Sequence, residues 1–238
     1  MIQELLFRKD RGSFALLVDP DKHTDRSIRQ LARLASECKV DALLLGGSLV
    51  RNSMENALAA IKEESELPVV LFPGSIFQFC PNADAILLLS LISGRNPEFL
   101  IGNHVVVAHT LNESGMEIIP TGYILIESGL RTSVQYMSNT SPIPRNKPDI
   151  AVATALAGQQ LGLRAVYLEA GSGATEAVPI EMIKEVRENI KLPIIVGGGI
   201  RKPDQVLDAR KAGANMIVVG TALEREPTIL RDLVAASR

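Results

Sequence analysis

The chain has 238 residues, 46% of them hydrophobic, and 25 basic against 27 acidic residues give a formal net charge of −2. That apolar content fills one barrel-sized core and leaves too little for two, so residues 1–238 are expected to form a single domain. Charges of both signs are scattered along the chain, which argues against a nucleic-acid or polybasic membrane footprint and favours a neutral or small anionic ligand.

Cys38 lies in a helical pattern and Cys80 precedes a proline, and neither has a zinc-ligand spacing, so both read as buried, reduced thiols. The N-terminal segment lacks an apolar signal core, and no apolar run approaches the roughly 20 residues of a membrane span. A soluble, cytoplasmic protein without an integral membrane segment is expected.

Short β-branched and aliphatic runs alternate with segments of helical period, the pattern of βαβ units. Strands are predicted near Phe14–Asp19, Ala42–Gly46, Val69–Phe72, Ala85–Leu89, Gly122–Ile126, Ala165–Glu169, Ile194–Val196 and Met216–Val219. Helices are predicted at Thr24–Glu37, Ser53–Glu64, Pro97–Asn112, Pro148–Leu161, Glu176–Asn189, Pro203–Ala212 and Pro227–Ala236. Eight parallel strands favour closure into an α/β (βα)8 TIM barrel over an open sheet. The joint Gly74–Asp84 is too short for a crossover helix with its loops, so the outer ring should lack a regular helix between strands three and four. Glu127–Lys147, rich in Ser, Thr, Asn and Pro, reads as a long irregular loop on the catalytic face, either a lid or a tolerated insertion.

Three glycine-bearing strand ends carry the strongest chemical signal: Tyr167-Leu-Glu-Ala-Gly-Ser-Gly173, Val196-Gly-Gly-Gly-Ile200 and Val219-Gly-Thr-Ala222. Bare backbone N–H groups at three consecutive strand ends form an anion nest, in the position where barrels hold a phosphate. A lone glycine run would imply only a tight turn; three together favour a phosphorylated ligand. Tyr167 and Glu169 share strand parity and should point into the barrel mouth, while Leu168 and Ala170 face the helices. Glu169 could then act as general base on a substrate hydroxyl, or be a structural carboxylate paired with Arg164. At the first two strand ends, Asp19 and Ser48 are hard oxygen donors suited to one Mg2+ shared with a diphosphate. Equally, an Asp before Pro is often a turn residue, and Asp21 can cap a helix. There is no GxGxxG fingerprint, Walker A motif or HExxH. His23, His104 and His109 are isolated; the last two, within a helical pattern, read as packing or surface residues.

These motifs, with Asp19-Pro-Asp, Gly46-Gly-Ser48 and Pro144-Arg-Asn-Lys-Pro-Asp149 between them, resemble the geranylgeranylglyceryl phosphate synthase family over essentially the whole chain and in order. The resemblance, closest to the branch with the Leu-Glu-Ala-Gly-Ser-Gly form, implies Mg2+-dependent transfer of a prenyl group to the C3 hydroxyl of sn-glycerol 1-phosphate, with release of diphosphate. It implies that Tyr167, Leu168, Glu169, Ala170, Gly171, Ser172, Gly173, Gly198, Gly199, Gly220 and Thr221 hold glycerol 1-phosphate, that Glu169 is the catalytic base, and that Asp19 and Ser48 bind Mg2+. It further implies a geranylgeranyl donor, with heptaprenyl diphosphate as the longer alternative, and a homo-oligomer, dimer or hexamer. Where some relatives carry Lys and Asn, this chain has Leu17 and Thr221, so any charge that Lys would bring must come from elsewhere. The tail is expected along the inner residues of strands two to four and the segment Ile86–Leu100 with Phe99, a run that could also be plain core. Two rival readings stand beside this one. A barrel isomerase or lyase would use the same nest, although no lysine stands at an inward strand end for Schiff-base chemistry. A phosphometabolite sensor would keep the nest but not Glu169, Asp19 and Ser48 together.

Overall fold

The computed structural model describes residues 1–8 and 10–238, the side chain of Arg225 excepted. Eight parallel strands close into a barrel in sequence order: β1 (Ser13–Val18), β2 (Ala42–Leu45), β3 (Val69–Leu71), β4 (Ala85–Leu91), β5 (Glu117–Leu125), β6 (Ala165–Glu169), β7 (Ile194–Gly197) and β8 (Met216–Val219). Closure is completed by β1 against β8, with Ser13 opposite Met216. The strands read as continuous apolar runs because both faces are covered. Inward residues such as Leu44, Val70, Leu87, Ile119, Tyr167, Ile195 and Val218 form the inner core. Their neighbours Leu43, Leu45, Val166, Leu168, Val196 and Ile217 face the helices.

A short helix, α1 (Ile2–Leu6), closes the bottom of the barrel. Its Leu6 joins the inner core, where Ala15, Ala42, Ala85 and Ala165 leave it room. The Glu117 carboxylate at the start of β5 accepts the N–H groups of Ile2 and Gln3 at 2.5 and 3.0 Å, satisfying donors that a helix start leaves unpaired.

The outer ring contains α2 (Asp25–Glu37), α3 (Met54–Lys62), α4 (Asn103–Ser114), α5 (Ser133–Ser138), α6 (Pro148–Gln160), α7 (Ile180–Asn189), α8 (Pro203–Lys211), α9 (Thr221–Arg225) and α10 (Leu230–Ala236). Sequence explains their starts: Thr24 and Ser53 accept backbone N–H groups as caps of α2 and α3, and proline occupies the first position of α6 and α8. In α2, Ile28, Leu31, Ala32 and Ala35 are buried, the helical period that seats one face on the barrel.

The joint between β3 and β4 contains only a 3-10 turn, Ile76–Gln78, so the outer ring lacks a regular helix there. Two expectations are corrected. β5 begins five residues earlier than predicted, because Glu117–Thr121 pairs with the first part of β4 despite the proline at 120. The segment 127–147 is not a structureless loop: it contains α5 and a bridge between Ile126 and Ile143. Thr175 Oγ1 and the Arg145 guanidinium tether it by donating to Ser128 O at 2.6 Å and Glu127 O at 3.0 Å.

Candidate active site

A cavity occupies the C-terminal mouth of the barrel. Its walls include Tyr167, Glu169, Gly171, Ser172, Gly173, Gly198, Gly199, Gly220 and Thr221, from the ends of β6, β7 and β8. Leu168 and Ala170, which the resemblance included among the ligand-binding residues, do not line it: both side chains pack under the helices, as strand parity requires. Gly198 shows why its position demands glycine. Its φ is +81°, and a Cβ there would stand 2.5 Å from Glu169 Oε1.

Glu169 ends β6 with 5% of its surface exposed. Its Oε1 accepts the Gly171 N–H at 2.6 Å. Burial pushes its carboxyl up to about 7, against the opposing influence of that N–H and of the Tyr167 and Tyr123 phenols. Among the described residues Glu169 makes no ion pair, so the alternative of a structural pair with Arg164 is not realised. A carboxyl that loses its proton near neutrality, beside an anion cradle, is suited to accept a proton from a bound hydroxyl.

The cradle also holds a cation that was not anticipated. The 3-10 turn Pro20–Lys22 after β1 carries Lys22 over the mouth, where Nζ lies 3.0 Å from Ser172 Oγ and 3.2 Å from Glu224 Oε1. Ser172 Oγ is in turn 3.3 Å from Thr221 Oγ1. Lys22 thus brings a positive charge to a cavity whose β1 wall carries the uncharged Leu17. Nothing in local sequence revealed this, because the contact spans 150 positions. Arg201, also on the wall, donates to the carbonyls of Thr175 and Gly199, both at 3.2 Å, and to that of Ala174, fixing the loop after β6.

Asp19 lies at the end of β1, its carboxyl raised above the ordinary value chiefly by burial. Its Oδ1 accepts the Asp21 N–H at 3.1 Å, and Oδ2 is 3.7 Å from Lys22 Nζ. A Cβ at Gly47 would come 3.0 Å from Asp19 Oδ2, so the bare backbone beside Ser48 lets the carboxylate sit against the end of β2. Asp21 is committed elsewhere: it accepts the N–H groups of Arg51 and Asn52 at 2.8–3.0 Å, and the Asn52 N–H foremost holds its carboxyl below the usual range. Among the described residues no cluster of three or more His, Cys, Asp or Glu gathers around a point that could hold a metal. One carboxylate and one hydroxyl nevertheless fit Mg2+, which characteristically uses one or two protein oxygens and takes the rest from phosphates and water.

A second cavity is apolar. It lies where the crossover helix between β3 and β4 is missing, so Ile86 and Leu88, on the outer face of β4, line it together with Val107 and Leu111 of α4 and Ile76 and Phe79 of the joint. Leu89, Leu91 and Phe99 line it as expected. Inner residues of the expected strand region, Phe72, Leu89 and Leu91, do form part of the wall, and the outer face of β4 adds Ile86 and Leu88 because no crossover helix packs there. His104 turns into this groove with Nε2 3.2 Å from Ser90 Oγ, whereas His109 is exposed. The two cavities adjoin, with five wall residues in common: Gly47, Ser48, Phe72, Tyr123 and Val134. Phe72 and Tyr123 were missed in the sequence, although their inward parity with Val70 and Leu125 was the available signal.

The sequence profile of the PcrB family matches residues 6–237. The chain belongs to the PcrB family. It is 49% identical over 229 residues to the geranylgeranylglyceryl phosphate synthase of Spirosoma linguale, covering 96% of this chain and 92% of that protein. It is 43% identical over 238 residues to the enzyme of the same name from Korarchaeum cryptofilum, covering 100% of this chain and 96% of the other. Among solved structures, (S)-3-O-geranylgeranylglyceryl phosphate synthase from Thermoplasma acidophilum, in complex with sn-glycerol-1-phosphate, superposes with a TM-score of 0.93 at 33% identity, covering 100% of this chain and 98% of that one.

Proposed function

We propose that the protein, working as one catalytic domain over residues 1–238, transfers a geranylgeranyl group from geranylgeranyl diphosphate to the C3 hydroxyl of sn-glycerol 1-phosphate. The products are the ether-linked geranylgeranylglyceryl phosphate and diphosphate. One observation carries this reading: the anion cradle that holds Glu169 adjoins an apolar groove and shares five wall residues with it. An isomerase or lyase of small phosphorylated metabolites has no use for such a groove. A sensor has no use for a buried carboxyl that titrates near neutrality.

In this reading the phosphate of the acceptor is held by the backbone and side chains of Gly171, Ser172, Gly173, Gly198, Gly199, Gly220 and Thr221, with Lys22 adding charge. Glu169 accepts the proton of the C3 hydroxyl as the oxygen attacks. The donor's tail lies in the groove between β4 and α4, and its diphosphate lies at the corner of Asp19 and Ser48. Asp19 and Ser48 would hold Mg2+, which when bound supplies neutralising charge to the leaving diphosphate. The segment 127–147 lies over both cavities, since Ser133 and Val134 line the polar one and Met137 and Ser138 the apolar one. Homo-oligomerisation is supported by the apolar surface around α4, where Ile101, Val105 and Val106 are each at least 60% exposed.

The test is incubation with Mg2+, sn-glycerol 1-phosphate and either geranylgeranyl or heptaprenyl diphosphate, with products identified by mass. A geranylgeranyl ether is expected. Failure with every prenyl donor would reject the reading, and faster turnover with the heptaprenyl donor would correct the chain length.

A further inference from the structure

At the junction of the two cavities stands a cluster of three aromatic rings. Phe72, just beyond β3, stacks on Tyr167 of β6 at 5.3 Å between centroids and 23° between planes. Tyr123 of β5 tilts against Tyr167 at 5.3 Å and meets Phe72 edge-on at 5.9 Å. The chain has no tryptophan and only three tyrosines, and two of the three are here. The rest of the inner barrel is aliphatic apart from Phe7 and Phe99 at its margins.

Packing alone does not account for these residue types. Tyr167 is fully buried, and its phenol, like that of Tyr123, lies beside the Glu169 carboxylate, whose charged form it favours. A core built only to fill space would use phenylalanine or leucine there and would not set two phenols beside a buried carboxylate. Gly197 supports the same ring: a Cβ at that position would lie 2.2 Å from Tyr167 Oη. Position gives the cluster its meaning. Phe72 and Tyr123 line both the apolar groove and the polar cavity, and Tyr167 lines the polar one. A donor with its tail in the groove and its diphosphate at Asp19 must pass its first carbons along Phe72 and Tyr123.

We propose that Phe72 and Tyr123, with Tyr167 packed against both rings, form an aromatic box that receives the allylic end of the prenyl donor and stabilises the positive charge that develops on it. The inference rests on the prenyl-transfer reading above and adds a group of residues to it. As the bond between C1 and the diphosphate oxygen breaks, the electron pair leaves with diphosphate and positive charge spreads over C1 and C3 of the allylic unit. The C3 oxygen of glycerol phosphate supplies the pair for the new bond to C1, and its proton passes to Glu169. Aromatic rings attract cations through the negative potential of their faces, and more strongly where water is excluded. They also offer no lone pair basic enough to capture the cation, as an ordered water would.

The test is an equilibrium measurement that needs no turnover. A prenyl dimethylammonium salt of geranylgeranyl length, which mimics the charge, and its uncharged carbon isostere are titrated by calorimetry in the presence of Mg2+ and inorganic diphosphate. The wild type should bind the ammonium compound about tenfold tighter than the isostere, the scale of a desolvated cation–aromatic contact. Phe72→Leu and Tyr123→Leu should each lower that preference by roughly threefold or more while changing isostere affinity little, and Phe72→Tyr should retain it. Phe72→Met serves where Phe72→Leu lowers the melting point. A wild type without charge preference, or leucine and methionine variants that keep it in full, would overturn the box and leave prenyl transfer standing. If the wild type binds neither compound, the prenyl-donor reading falls as well.

Discussion

The polar cradle above β6–β8 and the apolar groove beside β4 share five wall residues, yet they are made by opposite means. The cradle is built by addition: glycines with positive φ at positions 171, 173, 198 and 199 turn the chain so that N–H groups converge, and Glu169, Ser172, Thr221 and Lys22 are placed among them. The groove is built by omission: a 3-10 turn replaces the crossover helix, and Ile86 and Leu88 of β4 line the space this leaves beside α4. Substitutions in the cradle should therefore act on chemistry and on the acceptor. Substitutions in the groove should act on the donor alone.

The largest separation is expected at Glu169. Glu169→Gln keeps size and hydrogen-bonding capacity but removes the proton acceptor, so turnover should fall roughly 10²–10⁴-fold while glycerol 1-phosphate still binds. Because the free enzyme's carboxyl titrates at about 7, wild-type kcat/KM should rise with pH through that value, and the variant should lack the limb. The stability sign is opposite. A carboxyl raised in the folded state stabilises the fold at low pH, and that contribution disappears as pH rises from about 4.5 through 7. Glu169→Gln should thus melt above wild type at pH 8 by more than it does at pH 5. Near-normal turnover of the variant would remove Glu169 from the mechanism.

Asp19 tests the corner between the two regions. Asp19→Ala, like EDTA treatment of the wild type, should cost on the order of 10²-fold in turnover, because both remove charge neutralisation from the leaving group, and glycerol 1-phosphate binding should stay nearly intact. Full turnover in a metal-free assay would end the Mg2+ assignment.

Lys22 and Val107 sharpen the comparison with smaller effects. Lys22→Gln should raise KM for glycerol 1-phosphate by about tenfold, as expected for loss of a charged hydrogen bond, and leave KM for the donor within a factor of two or so. An equal rise in both would place Lys22 on the diphosphate instead. Val107 lies one turn below the mouth on α4, since the helix runs back towards the bottom of the barrel. Val107→Trp should shorten the groove and shift the ratio of kcat/KM for geranylgeranyl over farnesyl diphosphate several-fold towards the shorter donor, at the cost of a few methylenes' burial. A ratio unchanged from wild type would move the tail out of the groove.

Much of this was legible in the sequence because it depends on near neighbours. Alternation of strand and helix patterns gave the eight strands, and period two separated inward Tyr167 and Glu169 from outward Leu168 and Ala170. The joint Gly74–Asp84 was too short for a helix wherever the chain went. Glycine runs at strand ends report local backbone demands, so the cradle could be read before the barrel was seen. What the tertiary structure alone decided depends on residues far apart in the chain. Lys22 reaches Ser172 only because closure brings β1 beside β8 and the loop after β6 across the mouth. The groove appears only when the outer faces of β4 and α4 are seen with nothing between them. Its junction with the cradle exists because Phe72, just beyond β3, Tyr123 of β5 and Tyr167 of β6 meet at one height of the barrel, and periodicity along one strand fixes the side a residue faces but not the residue it faces there.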